Sequence, residues 1–174
     1  MKRVLFILGQ LSDLDIEWMI RNGQKVEVSE GEKLIHQGRK IENIYIILNG
    51  ELSIYDENSP GMEIGRIGAG EIVGEISFID SRPPSASVRA TETSTVYAIP
   101  RDTMKRKLDK DREFAARFYY SIALFMSDRL RKTTGRLGYG SPEDEADELD
   151  LNVLSHVAQA GAHFGKILHK FSEV

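Results

Sequence analysis

"GEIVGEISFIDSRPPSASVRA", residues 70–90, is the stretch on which both the fold and the chemistry of this chain turn. Gly74 and Glu75 open a short apolar run, and after Pro83 and Pro84 the chain strings together Ser85, Ala86 and Ser87. Glycine and small residues let a backbone come close to a ligand, and exposed N–H groups beside Ser hydroxyls can surround an anion. The two prolines withhold two N–H donors just where the loop tightens. Three readings stay open on these residues alone: a phosphate cradle, a cradle short of a donor, or a stiff loop with no ligand.

Upstream, the chain is punctuated by turns at short, regular spacing. "KVEVSEGE" alternates and turns at Gly31, and "KLIHQG" stops at Gly38. "NIYIILNGELSIYDENSPG" reads as two strands around an Asn-Gly pair, the strongest short-range hairpin signal. "MEIGRIGAGEIVGE" and "SVRATETSTVYAIP" supply further strands. Strands this short argue for a barrel-like or sandwich fold. Before them, residues 4–22 read as a helical lead-in with Ser12 as its N-cap.

Downstream the period switches to that of a helix, predicted from about Arg101 to Thr134. Phe114, Phe118, Ile122, Met126 and Leu130 recur at i, i+4, and Ala115, Tyr119, Tyr120, Ala123, Leu124 and Phe125 widen the stripe. A helix apolar over that much of its surface is expected to be buried on two sides, one against its own β-layer and one against a second copy. Residues 113–134 are therefore the expected homodimer surface. Gly135, Gly138 and Gly140 break the helix, and 135–148 form a Gly-containing acidic linker. Residues 149–174 read as a terminal amphipathic helix, with 149–171 available to a protein partner. The body of the domain is then 1–134.

Composition narrows the function. The chain of 174 residues has no cysteine, which removes disulfides and thiolate metal sites. A net charge of −4 gives no global electrostatic reason to bind nucleic acid. The basic runs "KRKLDKDR" and "DRLRKTTGR" are interspersed with acids and read as solvated helix faces. No apolar stretch approaches the roughly 18 residues of a membrane span. "VLFIL" is too short for a signal peptide, so the protein is expected in the cytoplasm. His36, His156, His163 and His169 lack helical metal-ligand spacing. No nucleophile elbow, paired carboxylates or Walker loop is present, and "GRIGAGEIVGE" lies between strands, so no enzyme and no dinucleotide fingerprint is read.

The order of features (lead-in helix, Gly-punctuated β-roll, "GEIVGEISFID…SASVRA", long amphipathic helix) resembles the cyclic nucleotide-binding domain. This is the family of the catabolite activator protein and of cAMP-dependent kinase regulatory subunits. The resemblance covers about residues 5–134 and rests also on "EGEKLIHQG" and "IYIILNGELSIY". It implies a mainly β, jelly-roll-like β-roll with flanking helices, a long dimerisation helix, and a regulatory role in signal transduction without catalysis.

The resemblance implies a cAMP-like ligand and no cofactor or metal. Gly74 would give close backbone approach, and Glu75 would accept from the ribose 2′-hydroxyl. The backbone N–H groups that follow, at Ile76 and Ser77, would face the phosphate. Ser85, Ala86 and Ser87 match the residues that close on the phosphate and base. The family's phosphate-pairing arginine is replaced by Pro84, a loss of roughly 10- to 100-fold in affinity, because a hydrogen bond to a charged group contributes about 1.5–3 kcal/mol. Arg82 and Arg89 are the candidate substitutes. The residues that remain after the long helix are too few and too acidic for the DNA-reading domain of the family's transcription factors. Two readings therefore stand: a sensor of a cyclic nucleotide or related anion, and a domain that binds no nucleotide and serves as a dimeric scaffold.

Overall fold

The computed structural model describes residues 9–59, 62–136, 165, 169–171 and 173. Helix α1 (Asp13–Asn22) begins at Ser12, whose side chain accepts from the Asp15 N–H while the Asp15 carboxylate accepts from the Ser12 N–H. That reciprocal capping box satisfies two of the helix's orphan donors. Eight strands follow: β1 (Gln24–Val28), β2 (Lys33–Ile35), β3 (Asn43–Asn49), β4 (Glu51–Tyr55), β5 (Glu63–Gly68), β6 (Ile72–Val73), β7 (Ser87–Ala90) and β8 (Ser94–Pro100). A short helix α2 (Glu75–Asp80) interrupts them, and α3 (Arg101–Lys110) and α4 (Arg112–Arg136) close the body.

The strands form two antiparallel four-stranded sheets, β1-β8-β3-β6 and β2-β7-β4-β5. Val28, Ile35, Ile47, Leu52, Ile67, Val73, Val88, Ala90 and Val96 point from both sheets into a common interior. The opposite face of the first sheet carries Ile44, Ile46, Leu48, Tyr97 and Ile99, and the helices cover it with Ile16, Met19, Met104, Leu108, Phe114, Phe118, Ile122 and Phe125. Covered on both faces, β3 reads as an unbroken apolar run rather than an alternation. The expected mainly β roll with flanking helices is the architecture found.

Two local expectations are corrected. Asn49-Gly50 is not a hairpin turn, because β3 and β4 belong to different sheets. β3 pairs with β8 and β6, and β4 with β5 and β7. The pair supplies the left-handed backbone its sequence favours (Gly50 φ 91°), but the chain uses it as a corner between sheets. A Cβ on Gly50 would fall 2.1 Å from the Ser94 hydroxyl, so only glycine passes. Burial decided the pairing: a strand buried on both faces is placed inside a sheet, not in a local ribbon.

The single helix predicted from Arg101 is two helices broken at Asp111. Asp111 is extended (φ −124°, ψ 96°), and its carboxylate accepts from the Phe114 N–H at 2.9 Å, capping α4. Its other oxygen takes Lys107 at 2.7 Å. An Asp that can cap the following turn competes with helix continuation.

The wide apolar surface of α4 also divides. Phe114, Phe118, Ile122 and Phe125 are buried, whereas Tyr119, Tyr120, Met126 and Leu130 are exposed. The bidentate Arg117–Asp15 pair, at 2.7 and 3.0 Å, ties α4 to α1. Of the terminal segment, Phe171 is fully buried, its ring 4.4 Å from that of Tyr97. The linker 135–148 and nearly all of 149–174 lie outside the described residues.

Candidate functional site

The stretch from Gly74 to Val88 sits where the last short strand of one sheet crosses to the other. Gly74 adopts φ 91°, ψ 0°, a left-handed conformation that turns the chain from β6 directly into α2. A Cβ there would stand 3.3 Å from the Asn43 carbonyl oxygen. The turn buries Glu75, which is 2% exposed, together with Ser77 and Phe78, while Ile76 points to solvent. Phe78 holds the helix down by meeting Phe118 of α4 edge-on at 5.9 Å.

Glu75 is the most constrained group of the site. Arg129 of α4 donates to its carboxylate at 2.6 Å, and the backbone N–H groups of Glu75 and Ile76 also bond it. Burial pushes its pKa above the ordinary carboxylate range, with the neighbouring Glu71 adding to the rise. Arg129 and the two N–H groups oppose that rise without cancelling it. Arg129 itself lies over the Phe125 ring at 5.4 Å, so its guanidinium is held between an aromatic face and a carboxylate.

Across from this turn, the loop after α2 is pinned by its backbone. Ser81 takes a left-handed φ of 63°, and Arg101 reaches its hydroxyl at 2.9 Å. The Pro84 carbonyl accepts from the Gly38 N–H at 2.8 Å. Ser85 is exposed and Ala86 half-buried. Ser87 is fully buried, but its hydroxyl accepts from the Gln37 N–H at 2.9 Å and donates to the Glu57 carboxylate at 2.5 Å. Glu57 in turn pairs with Lys33 at 2.9 Å. The structure thus gathers Gly74, Glu75, Ile76 and Ser77 into one turn and commits the Ser87 hydroxyl to a separate network.

Neither candidate arginine is turned to the cradle in this structure. The Arg82 side chain is 83% exposed and its guanidinium lies 3.6 Å from Asp80. Arg89 stands in register with Ser53, on the face of its sheet opposite Val88 and Ala90, and stacks over Tyr55 at 4.8 Å. The cation that meets Glu75 is Arg129, which the sequence reading did not single out. It sits 54 residues away in a run that resembles any charged helix face, and the available hint was its one-turn spacing from Phe125.

Among the described residues no group of three or more His, Asp or Glu is placed to hold a metal. Nor is any helix among them long and apolar enough to cross a membrane.

Comparison with known proteins agrees with this geometry. Residues 25–111 match the family model of the cyclic nucleotide-binding domain. A crystal structure of a cyclic nucleotide-binding domain from Methylobacillus flagellatus superposes with a TM-score of 0.66 at 25% identity, covering 72% of each chain. The catabolite activator protein of Thermus thermophilus superposes at 0.59 with 19% identity, over 94% of this chain and 84% of that one, a likeness of fold. The cAMP-dependent protein kinase regulatory subunit of Yarrowia lipolytica is 25% identical over 103 residues, 59% of this chain and 27% of its own length. Lysophospholipase NTE1 of Pyricularia oryzae is 28% identical over 136 residues, 75% of this chain but 8% of that enzyme. The chain therefore spans a minor part of these curated relatives. With the family model matched over residues 25–111, half of the chain, the chain belongs to the cyclic nucleotide-binding domain family.

Proposed function

We propose that this domain is a non-enzymatic, cytoplasmic regulatory module that takes a cyclic nucleotide, cAMP-like, or a related ribose-bearing anion at Gly74–Ser77 and Ser85–Ser87. The observation that carries the proposal is the Glu75–Arg129 pair. A ligand hydroxyl that engages the Glu75 carboxylate must share it with Arg129 or displace Arg129, and either change acts directly on α4. Occupancy of the cradle and the position of the long helix are then one equilibrium, shifted only by the ligand's differential affinity for the two states.

The readout is a homodimer. Tyr119, Ala123, Met126 and Leu130 follow one another at spacings of four, three and four on the exposed side of α4, the pattern of a helix-pairing seam. The terminal segment 149–171 passes the signal to a protein partner. The family membership and the name of the Yarrowia relative, a regulatory subunit, support a regulatory role.

Calorimetric titration with cAMP, cGMP and cyclic dinucleotides tests the reading. Saturable binding supports it, and silence up to about 1 mM ligand, a binding free energy weaker than about −4 kcal/mol, overturns it.

A second reading, a dimeric interaction scaffold that binds no nucleotide, is favoured by a specific observation. Pro84 stands where the resemblance places a cation, and Glu75 already accepts from Arg129 and from the backbone N–H groups of Glu75 and Ile76. It requires an unchanged melting temperature across the same nucleotide panel.

A further inference from the structure

Away from the cradle, α1 and α3 leave a groove of about 850 Å³ that neither the fold nor the proposed signalling uses. One wall is Trp18 and Asn22, a turn apart on α1, and the other is Arg106, Lys107 and Lys110 on α3. Arg112, at the start of α4, also lines the groove, beside Asp111 and Glu113. Lys107 is committed inside the groove: it pairs with Asp111 at 2.7 Å and lies over the rings of Trp18 at 5.6 Å and Phe114 at 5.3 Å. Arg106, Lys110 and Arg112 are exposed, and among the described residues no carboxylate pairs with any of them. Three exposed cations with no ion pair among the described residues flank a half-buried indole, on a chain whose net charge is −4.

Spacing identifies what fits. Arg106 and Lys110 are one helical turn apart, about 6 Å along the axis at 1.5 Å per residue. An extended peptide brings side chains i and i+2 to the same face about 6.6 Å apart. Carboxylates at alternate positions of an extended segment therefore meet the two cations in register. Trp18 offers the same segment an apolar contact. We propose that this groove docks an acidic, extended segment of a partner protein, with alternate carboxylates on Arg106 and Lys110, a further one on Arg112, and an apolar side chain against Trp18.

Trp18 is the single tryptophan of the chain, so its emission reports on the groove directly. The intact protein is titrated with a short synthetic peptide of alternating Glu and Ser carrying one Phe, with the matching Lys peptide and with a short single-stranded DNA as comparisons. The expected result is a saturable change of Trp18 emission with the acidic peptide alone, weakening as salt shortens the reach of the charges. Charge reversal at the three exposed positions (Arg106→Glu, Lys110→Glu, Arg112→Glu) is expected to weaken binding at least about tenfold, the combined effect of three surface ion pairs. These side chains hold no part of the core, and circular dichroism of the variant verifies its fold. A Trp18→Phe variant followed by calorimetry is expected to retain binding through the cations. No saturable response up to about 1 mM acidic peptide, equal binding by the charge-reversed variant, or tighter binding of the DNA would each overturn the proposal.

Discussion

Arg129 of α4 donates to Glu75, the first residue of α2, at 2.6 Å across 54 residues of sequence. The contact joins the cradle turn to the long helix through one buried carboxylate, and its strength depends on pH. Replacing Arg129 with Gln leaves Glu75 buried without its cation. Its folded pKa, already above the unfolded value near 4.5, then rises further. An acid with a raised folded pKa favours the native state when protonated and penalises it as pH climbs through that value. Arg129→Gln is expected to match the parent near pH 4.5 and to lose about 2 kcal/mol at pH 8. That is less than the 3–5 kcal/mol of a fully buried pair, because Arg129 is 35% exposed. Urea melts at the two pH values check it, and adding Glu75→Gln should remove the difference between them.

Asp15 has the opposite sign. Burial would raise its pKa, but the Arg117 guanidinium and the Ser12 cap outweigh burial and hold the carboxyl below its ordinary 3.8. Its stabilisation is therefore complete above that value and is lost as pH falls through the lower folded pKa. Asp15→Asn should destabilise by about 1–3 kcal/mol at neutral pH, since it removes the charge of the Arg117 pair and leaves one accepting oxygen where Arg117 and the Ser12 N–H use two. In an acid titration followed by circular dichroism, the gap between parent and variant should narrow as pH falls below 3.8.

Pro84 occupies the position where the resemblance places a cation. Pro84→Arg keeps the carbonyl that Gly38 bonds and adds a guanidinium beside Ser85. If the cradle is competent, affinity for cAMP should increase by roughly 10- to 100-fold, the value of one hydrogen bond to a charged group. Isothermal titration of the two proteins measures the gain, and an unchanged affinity would assign the weakness to the closed Glu75 instead.

Leu130 is 64% exposed and Met126 39%, on the side of α4 turned from the core. Glu at both positions should leave the melting temperature of the fold within a few degrees while converting a dimer to a monomer in sedimentation velocity. Carboxylates at a pairing seam are desolvated and face their own copies across it. A parent that sediments as a monomer would remove the dimeric part of the proposal.

Phe171 is fully buried against Tyr97, whose hydroxyl donates to the Ile20 carbonyl at 2.5 Å. Phe171→Ala should cost about 3–5 kcal/mol, the range for emptying a buried aromatic site. Denaturant unfolding of the full chain checks it, and a loss under 1 kcal/mol would mean that the site collapses or refills.

Periodicity and turn chemistry made the β-roll legible, because alternation and glycine spacing are local signals. Ser12 was legible as a cap for the same reason. One reading failed to distant packing and one to local capping. Asn49-Gly50 has hairpin chemistry, yet β3 is claimed by β8 and β6 because both its faces are buried. Asp111 stops a helix whose apolar period runs straight through it, since one carboxylate can both cap α4 and hold Lys107. At the candidate site, the turn at Gly74 into the short helix from Glu75 was readable from its motif. Arg129 and Phe171 were not, because a contact made across 54 or 74 residues leaves no periodic trace in the segment that makes it.

The burial of Phe171 beneath Tyr97 has a consequence for how the molecule is made. A chain synthesised from its N-terminus exposes the outer face of β8 as soon as that strand pairs, yet the ring that covers Tyr97 emerges 74 residues later. Until then the Tyr97 ring lacks its aromatic cover, and apolar surface exposed in this way recruits chaperones or sticks to its neighbours. This packing is thus completed by the arrival of Phe171 rather than by the pairing of the strands.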